Sequence, residues 1–352
     1  MKLTIETKIL QDLVNKAVKG AANNKYMEFT NWINIKAKDN LLTFITCDGA
    51  NYFYVKHPIT TDDFDIIVQV KDFASLVRLT TTKEITLTMN DGDKCLTFEG
   101  NGEYSIELPA DAEFDDPLSE IELEEATATI SKTLISNMIT INKPSIAPTM
   151  TNPENTGYYV GDKIITTDTK RITALHENVL EKPILLTKSM VDLLNNIDDD
   201  EIDCYIINKQ IIFKTDKYAI YGYSLNGIES FKITAINNLI ESQIDECAVF
   251  NKENIMSALS RILIFVKNLD NTIILNFKKD YLTISTEDKQ SQENVEYVQN
   301  TANEESTCKI KIDVLMSQIN ALNEESFAFY YGNSKYVKLT TDNITQIIAL
   351  NL

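Results

Sequence analysis

Apolar and polar positions alternate in three similar stretches of the chain. In LLTFITCDGANYF (41–53), KIITTDTKRITAL (163–175) and YLTISTEDKQSQE (281–293), a period-two apolar pattern runs into a Thr-rich turn and an aspartate. That period predicts half-buried strands. The aspartates are Asp48, Asp168 and Asp288, and both intervals are 120 residues. Helix-spaced segments recur as well: TKILQDLV (7–14), SKTLISNM (131–138) and NKENIMSAL (251–259). Each opens on Thr, Ser or Asn, residues that cap helix N-termini, followed by Lys8, Lys132 or Lys252. A second helical set is predicted over 70–79, 187–197 and 311–322. Each of its members leads into strand-like alternation, at 84–100, 201–225 and 326–342, where Phe98, Phe213 and Leu339 hold similar places.

One order of elements therefore occurs three times: strand, helix, several strands, helix, several strands. This predicts an α+β protein of three repeated domains, at 1–120, 121–242 and 243–352, each with antiparallel sheet and two helices covering one face. The junctions fall in the acidic stretch 112–126 and in the polar stretch 237–246. A length of 352 residues suits two or three domains.

Composition narrows the function. The apolar fraction is 43%, too high for a disordered chain. The net charge is −19, unlike a protein that coats nucleic acid, so any contact with phosphates would need bases concentrated locally. Five scattered cysteines form no C-x-x-C pair, and with only two histidines, His57 and His176, no metal site or cofactor is expected. The start has no apolar signal core and no run is long enough to span a membrane, so a cytoplasmic protein is expected. An enzyme would need clustered nucleophiles, bases or metal carboxylates. The repeated aspartates fit a structural role instead, capping turns by accepting nearby amides. No phosphate-binding G-x-x-x-x-G-K-[ST] or G-x-G-x-x-G run is present. No catalytic residues are assigned.

At the level of motifs the chain resembles the bacterial-type DNA sliding clamp, the beta subunit of DNA polymerase III, over its whole length. The opening MKLTIETKILQDLVNKA is similar to the family's start. GEYSIELPADAEF (102–114) resembles the end of its first domain. GYYVGDKIITTDTKRITAL (157–175) resembles a tyrosine pair, strand and Thr-Asp turn in its second. LLTKSMVDLL (185–194), NKENIMSALSRILIF (251–265) and the tail QIIALNL (346–352) resemble later segments. The resemblance implies a homodimer that closes head to tail into a six-domain ring with helices lining the hole. Such a ring encircles duplex DNA without sequence specificity, tethers the polymerase and performs no chemistry.

It also implies particular residues. Lys8, Lys16, Lys71, Arg78, Lys132, Lys188, Lys252 and Lys311, with Tyr158 and Tyr159, correspond to DNA-facing positions. Val160, Thr167, Arg171, Ile172, Ile347, Ile348, Leu350 and Leu352 correspond to a pocket between the second and third domains that takes a short peptide from the polymerase or the clamp loader. Tyr104 and Ile106, with Ile264 and Phe265, correspond to the dimer interface. The alternatives are bland: solvated helix faces for the lysines, a packing pair for the tyrosines, a buried last strand for the tail, and core for the interface residues. The chain also departs from the family's pattern. Thr169-Lys170 stands where Gly-His is usual, Ser230 where a pocket-wall proline is usual, and Ala349 and Asn351 where proline and arginine are usual. A rival is a three-domain structural or interaction protein, such as a phage component, with no role in DNA tethering.

Overall fold

The three aspartate turns are built alike. The Asp48 carboxylate accepts the N–H groups of Ala50 (2.8 Å) and Asn51 (2.7 Å), and Asp168 accepts those of Lys170 (3.0 Å) and Arg171 (2.6 Å). Asp288 accepts the Gln290 N–H at 3.1 Å and the Thr286 hydroxyl at 2.5 Å. The residue after each aspartate is left-handed: φ is 97° at Gly49, 75° at Thr169 and 56° at Lys289. The computed structural model describes residues 1–350 apart from 23, 91, 93, 111, 150, 267–270, 302–304 and 334.

Seven α-helices are present among these residues: α1 Thr7–Ala17, α2 Val70–Leu79, α3 Lys132–Asn137, α4 Lys188–Leu194, α5 Ile233–Glu241, α6 Lys252–Leu263 and α7 Ile312–Ala321. Six of them are the repeated pairs. In each repeat the first helix begins with the same backbone tie to the strand after the second helix: Thr7 N–H to Lys83 O (3.0 Å), Lys132 N–H to Asp200 O (2.8 Å) and Lys252 N–H to Glu325 O (2.8 Å). The seventh, α5, corrects the polar junction expected at 237–246. Ile233, Ile236 and Ile240 recur at helical spacing, and burial of Ile236 and Ile240 outweighs the polar residues between them.

Lysines close the exposed carbonyl ends of three helices. Lys132 Nζ donates to Asn195 O and Ile197 O (both 2.6 Å) past the end of α4, and Lys252 Nζ to Asn320 O (3.0 Å) and Leu322 O (2.5 Å) at the end of α7. Lys338 Nζ donates to Ile240 O (2.9 Å) and Ser242 O at the end of α5. A cation satisfies orphan carbonyls and complements the helix dipole there. Burial holds all three ammonium groups below the ordinary lysine pKa. In the first repeat Gln11 does this work, donating to Val77 O (3.0 Å) and Thr80 O (2.9 Å).

Every sheet is antiparallel, and the chain forms two compact units that do not follow the repeats. The first holds residues 1–135 and 189–224. Its eight-stranded sheet runs Phe64–Gln69, Trp32–Lys38, Leu41–Cys47, Tyr52–Pro58, Tyr218–Tyr223, Gln210–Lys214, Glu201–Ile207, Ala128–Ser131. A four-stranded sheet runs Lys2–Glu6, Glu84–Thr88, Cys95–Glu99, Glu103–Glu107. The second unit holds 136–188 and 225–352. Its nine-stranded sheet runs Ile184–Thr187, Gly157–Val160, Ile164–Thr167, Arg171–Leu175, Ile344–Ala349, Tyr336–Thr340, Ser326–Tyr331, Glu246–Asn251, Gln299–Asn300. Its four-stranded sheet runs Gln292–Glu296, Tyr281–Thr286, Thr272–Phe277, Ser306–Lys311. Each large sheet is joined at its middle by strands from successive repeats: Tyr52 opposes Tyr221 in one, and Ile172 opposes Ile347 in the other.

Candidate peptide-docking site

The site is built around the middle Thr-Asp turn, in the second unit. Asp168 fixes the turn through the two amides described above and also binds the Arg171 guanidinium, at 2.8 Å to Nε and 2.7 Å to Nη2. Thr167 Oγ1 donates to Arg171 O at 2.7 Å and accepts the Thr169 N–H at 3.1 Å. The aspartate is therefore scaffold, and Arg171 is committed to it.

Strand alternation then sorts the neighbours onto two faces. Tyr159, Ile165, Ile172 and Ile347 share one face, and α5 packs on it through Ile236 and Ile240. Phe231, just before α5, stacks on Tyr159 with ring centroids 5.1 Å apart. Small side chains leave this packing open at its end. Thr167, Thr169, Ile172, Ser230, Ala235, Ile236 and Leu239, with Lys232 and the turn at Asn152–Asn155, line a chamber of about 310 Å³. A second chamber of about 260 Å³ lies across the turn, lined by Asp168, Lys170, Arg171, Ile310, Lys311, Asp313, Val314, Ile348 and Ala349. Thr169 lines the first and its neighbour Lys170 the second, so one residue of backbone separates them. The matching place in the first unit is filled: Tyr52 and Tyr221 stand where Ile172 and Ile347 do, and Tyr52 meets the rings of Phe114 and Tyr221 at 6.1 Å.

Of the residues expected at a pocket, Thr167 and Ile172 line the first chamber, and Arg171 and Ile348 the second. Ile347 belongs to the apolar packing beneath the first. Leu350 is half-buried, its N–H bonded to Lys335 O at 2.9 Å, and Leu352 lies outside the described residues. Val160 is a correction: it is fully buried, and alternation puts its neighbour Tyr159, not Val160, on the chamber's face. The residues that the sequence reading missed are Asn152, Glu154, Asn155, Lys232, Ala235, Ile236 and Leu239. The isoleucine spacing of 233, 236 and 240 was the available signal for α5.

The expected DNA-facing set divides. Lys8, Lys71, Arg78 and Lys188 are exposed. Lys132 and Lys252 cap helices, Lys311 lines the second chamber, and Lys16 is half-buried in a cluster with Asp12 (3.2 Å), Asp198 and the Tyr218 hydroxyl (2.7 Å). Burial opposes the charge on Lys16, but bonds to Asp198, Tyr218 and Asp12 outweigh it and hold its pKa above the usual lysine value. Tyr158 and Tyr159 are corrections. They are 0% and 6% exposed, because both faces of their strand are covered, and neither presents its ring to solvent. Among the interface candidates Tyr104 (42%), Ile264 (75%) and Phe265 (51%) are exposed, and Tyr104 lies on an edge strand. Ile106 is a correction: at 6% exposed, it faces the core of its sheet. No three His, Cys, Asp or Glu side chains stand together as a metal set, and no helix is long and apolar enough to cross a membrane, among the described residues.

Residues 1–117 match the family model of the DNA polymerase III beta subunit, N-terminal domain. No curated protein shows significant sequence similarity to the chain. In fold, the chain is similar to the DNA polymerase III beta chain of Streptococcus pneumoniae, with a TM-score of 0.88 at 15% identity, covering 100% of this chain and 99% of that one. It is also similar to the Bacillus subtilis DNA polymerase sliding clamp (0.86, 16%, 100% and 99%) and to a putative DNA polymerase III beta subunit from Eubacterium rectale (0.87, 18%, 100% and 99%). The architecture is thus the three-domain DNA-clamp fold. The first third of the chain is thus similar to the N-terminal domain of the DNA polymerase III beta subunit, and its full length has the fold of the clamps named above.

Proposed function

We propose that this chain is a DNA sliding clamp, a non-enzymatic processivity factor that encircles duplex DNA and tethers a polymerase. The observation that carries the reading is the match of fold over essentially the full length of both chains, since topological tethering requires every domain of a closed ring. The acidic balance of −19 is compatible with it. Affinity for DNA grows with the number of phosphates neutralised, but a ring is held by closure and needs only a mild attraction. The exposed Lys8, Lys71, Arg78 and Lys188 supply that attraction. Tyr104 on its edge strand and the Ile264–Phe265 pair supply the apolar contact between two copies, because exposed edges and large exposed apolar side chains call for cover. The first chamber takes the apolar residues of a short peptide from the polymerase or a clamp loader, and its wall of α5 fixes the shape. The protein acts in the cytoplasm of a bacterial cell, or of the host if the gene is a phage's.

The test is retention on DNA. Clamp loaded onto a nicked circle should stay through a gel-filtration column and leave after the circle is cut. Equal retention on circular and linear DNA would reject encirclement.

A further inference from the structure

The joint between the second and third repeats has a core unlike that between the first and second. Thr173 and Gln346 oppose each other there, one residue along from Ile172 and Ile347 and so on the other face of the sheet. The first unit puts Phe53 and Ile220 at this place. Asn142 likewise stands where the first unit has Ala17, since Thr166 Oγ1 donates to Asn142 O (2.7 Å) as Thr46 Oγ1 does to Ala17 O (2.6 Å). All of these side chains are fully buried.

The polar joint is bonded almost completely. Thr173 Oγ1 donates to Gln318 Oε1 (3.1 Å), and Gln318 Nε2 donates to Ser145 Oγ (3.0 Å). With the Thr173 proton so used, the Ser145 hydroxyl donates to Thr173 Oγ1 (2.7 Å) and closes a ring. Asn142 Nδ2 donates to Ile164 O (3.2 Å) and Thr173 O (3.1 Å). Gln346 is the exception. It is 0% exposed, yet neither its Nε2 nor its Oε1 has a hydrogen-bond partner among the described residues. Its strand neighbours on this face are Thr173, Leu339, Ile344 and Ile348, of which only Thr173 is polar.

Buried polar groups are paired by protein or by ordered water, because an unpaired one is costly. A threonine in place of a phenylalanine also leaves space that a ring fills in the first unit. We infer that this space holds one internal water molecule. The water donates to Gln346 Oε1, accepts from Gln346 Nε2 and accepts the second N–H of Gln318, which the ring leaves over. That gives it about three bonds, the usual complement of a buried water. The last strand is thereby tied to α7, and the joint is sealed by water where its counterpart in the first unit is sealed by apolar packing.

A crystal structure of the full-length protein, at a resolution that shows ordered water, should place an enclosed water at hydrogen-bond distance from both ends of the Gln346 amide. An amide bonded directly to protein groups, or one with no water beside it, would overturn the site. Gln346→Met gives the second measurement. It keeps the length of the side chain and removes its bonds, and the buried Ile220 of the first unit shows that this place in the sheet accepts an apolar residue. The variant should melt about 2 °C lower, because the water loses two of its bonds, and its crystal structure should lack the water. An unchanged or higher melting temperature would also overturn the site, since removing an amide that nothing pairs is a gain.

Discussion

Thr169 sits where a β-branched residue is least at ease, at φ 75°, in a turn whose first copy uses Gly49 in the same place. A left-handed β-branched residue costs about 1–3 kcal/mol. Thr169→Gly should therefore raise stability by about 1 kcal/mol in urea denaturation, part of the relief being offset by the freer unfolded glycine. The same change should weaken peptide binding, because the side chain that strains the turn also lines the first chamber. His176 gives a second residue-scale outcome. Its Nε2 lies 2.9 Å from Thr345 Oγ1, and burial, then Lys163, hold its pKa below the ordinary 6.5. The unfolded chain thus binds the proton more readily, so the stabilisation due to His176 is present above pH 6.5 and is lost as the pH falls below it. The stability difference between the native protein and His176→Gln, followed by thermal melting, should shrink from pH 7.5 to pH 5.5. At this scale the sequence was legible where chemistry is local: the aspartate turns follow from residue type and spacing. Burial of Tyr158 was not, since a tyrosine at a strand start fits solvent or core equally until the covering elements are known.

At the scale of elements, lysines hold helix ends to neighbouring structure. Lys252→Met keeps the stem's packing but removes both bonds to the carbonyls at the end of α7, and should cost about 1–2 kcal/mol, read as a lower urea midpoint with unchanged slope. In the first repeat Thr7 holds the corresponding helix start, and Lys8, one residue further on, is exposed while Gln11 makes the tie, so Lys8→Met should be close to neutral. Six of the seven helices were legible because their apolar spacing recurs three times. The seventh, α5, escaped because it occurs once and follows Lys232 in a stretch interrupted by asparagines. That omission hid one wall of the first chamber, formed by Ala235, Ile236 and Leu239.

For the whole molecule, the repeat and its three-domain fold were visible in the 120-residue interval, whereas the grouping into two compact units was not, because strand pairing between repeats leaves no mark in either partner alone. If two copies close a ring, Phe265→Asp should shift the protein from dimer to monomer by sedimentation at micromolar concentration and abolish retention on circular DNA, with its melting temperature little changed, since Phe265 is half-exposed. The shared sheets carry a further consequence for how such a chain can be divided. A fragment ending at residue 120 keeps the first repeat whole yet bares the long edge of Tyr52–Pro58, whose partner Tyr218–Tyr223 is left behind. Unpaired edges of that length recruit one another. The fragment should self-associate, and adding the strand as a peptide spanning 210–224 should return it to solution. Three repeats written in tandem are in this sense not three inheritable modules: each can be copied, but none can be excised.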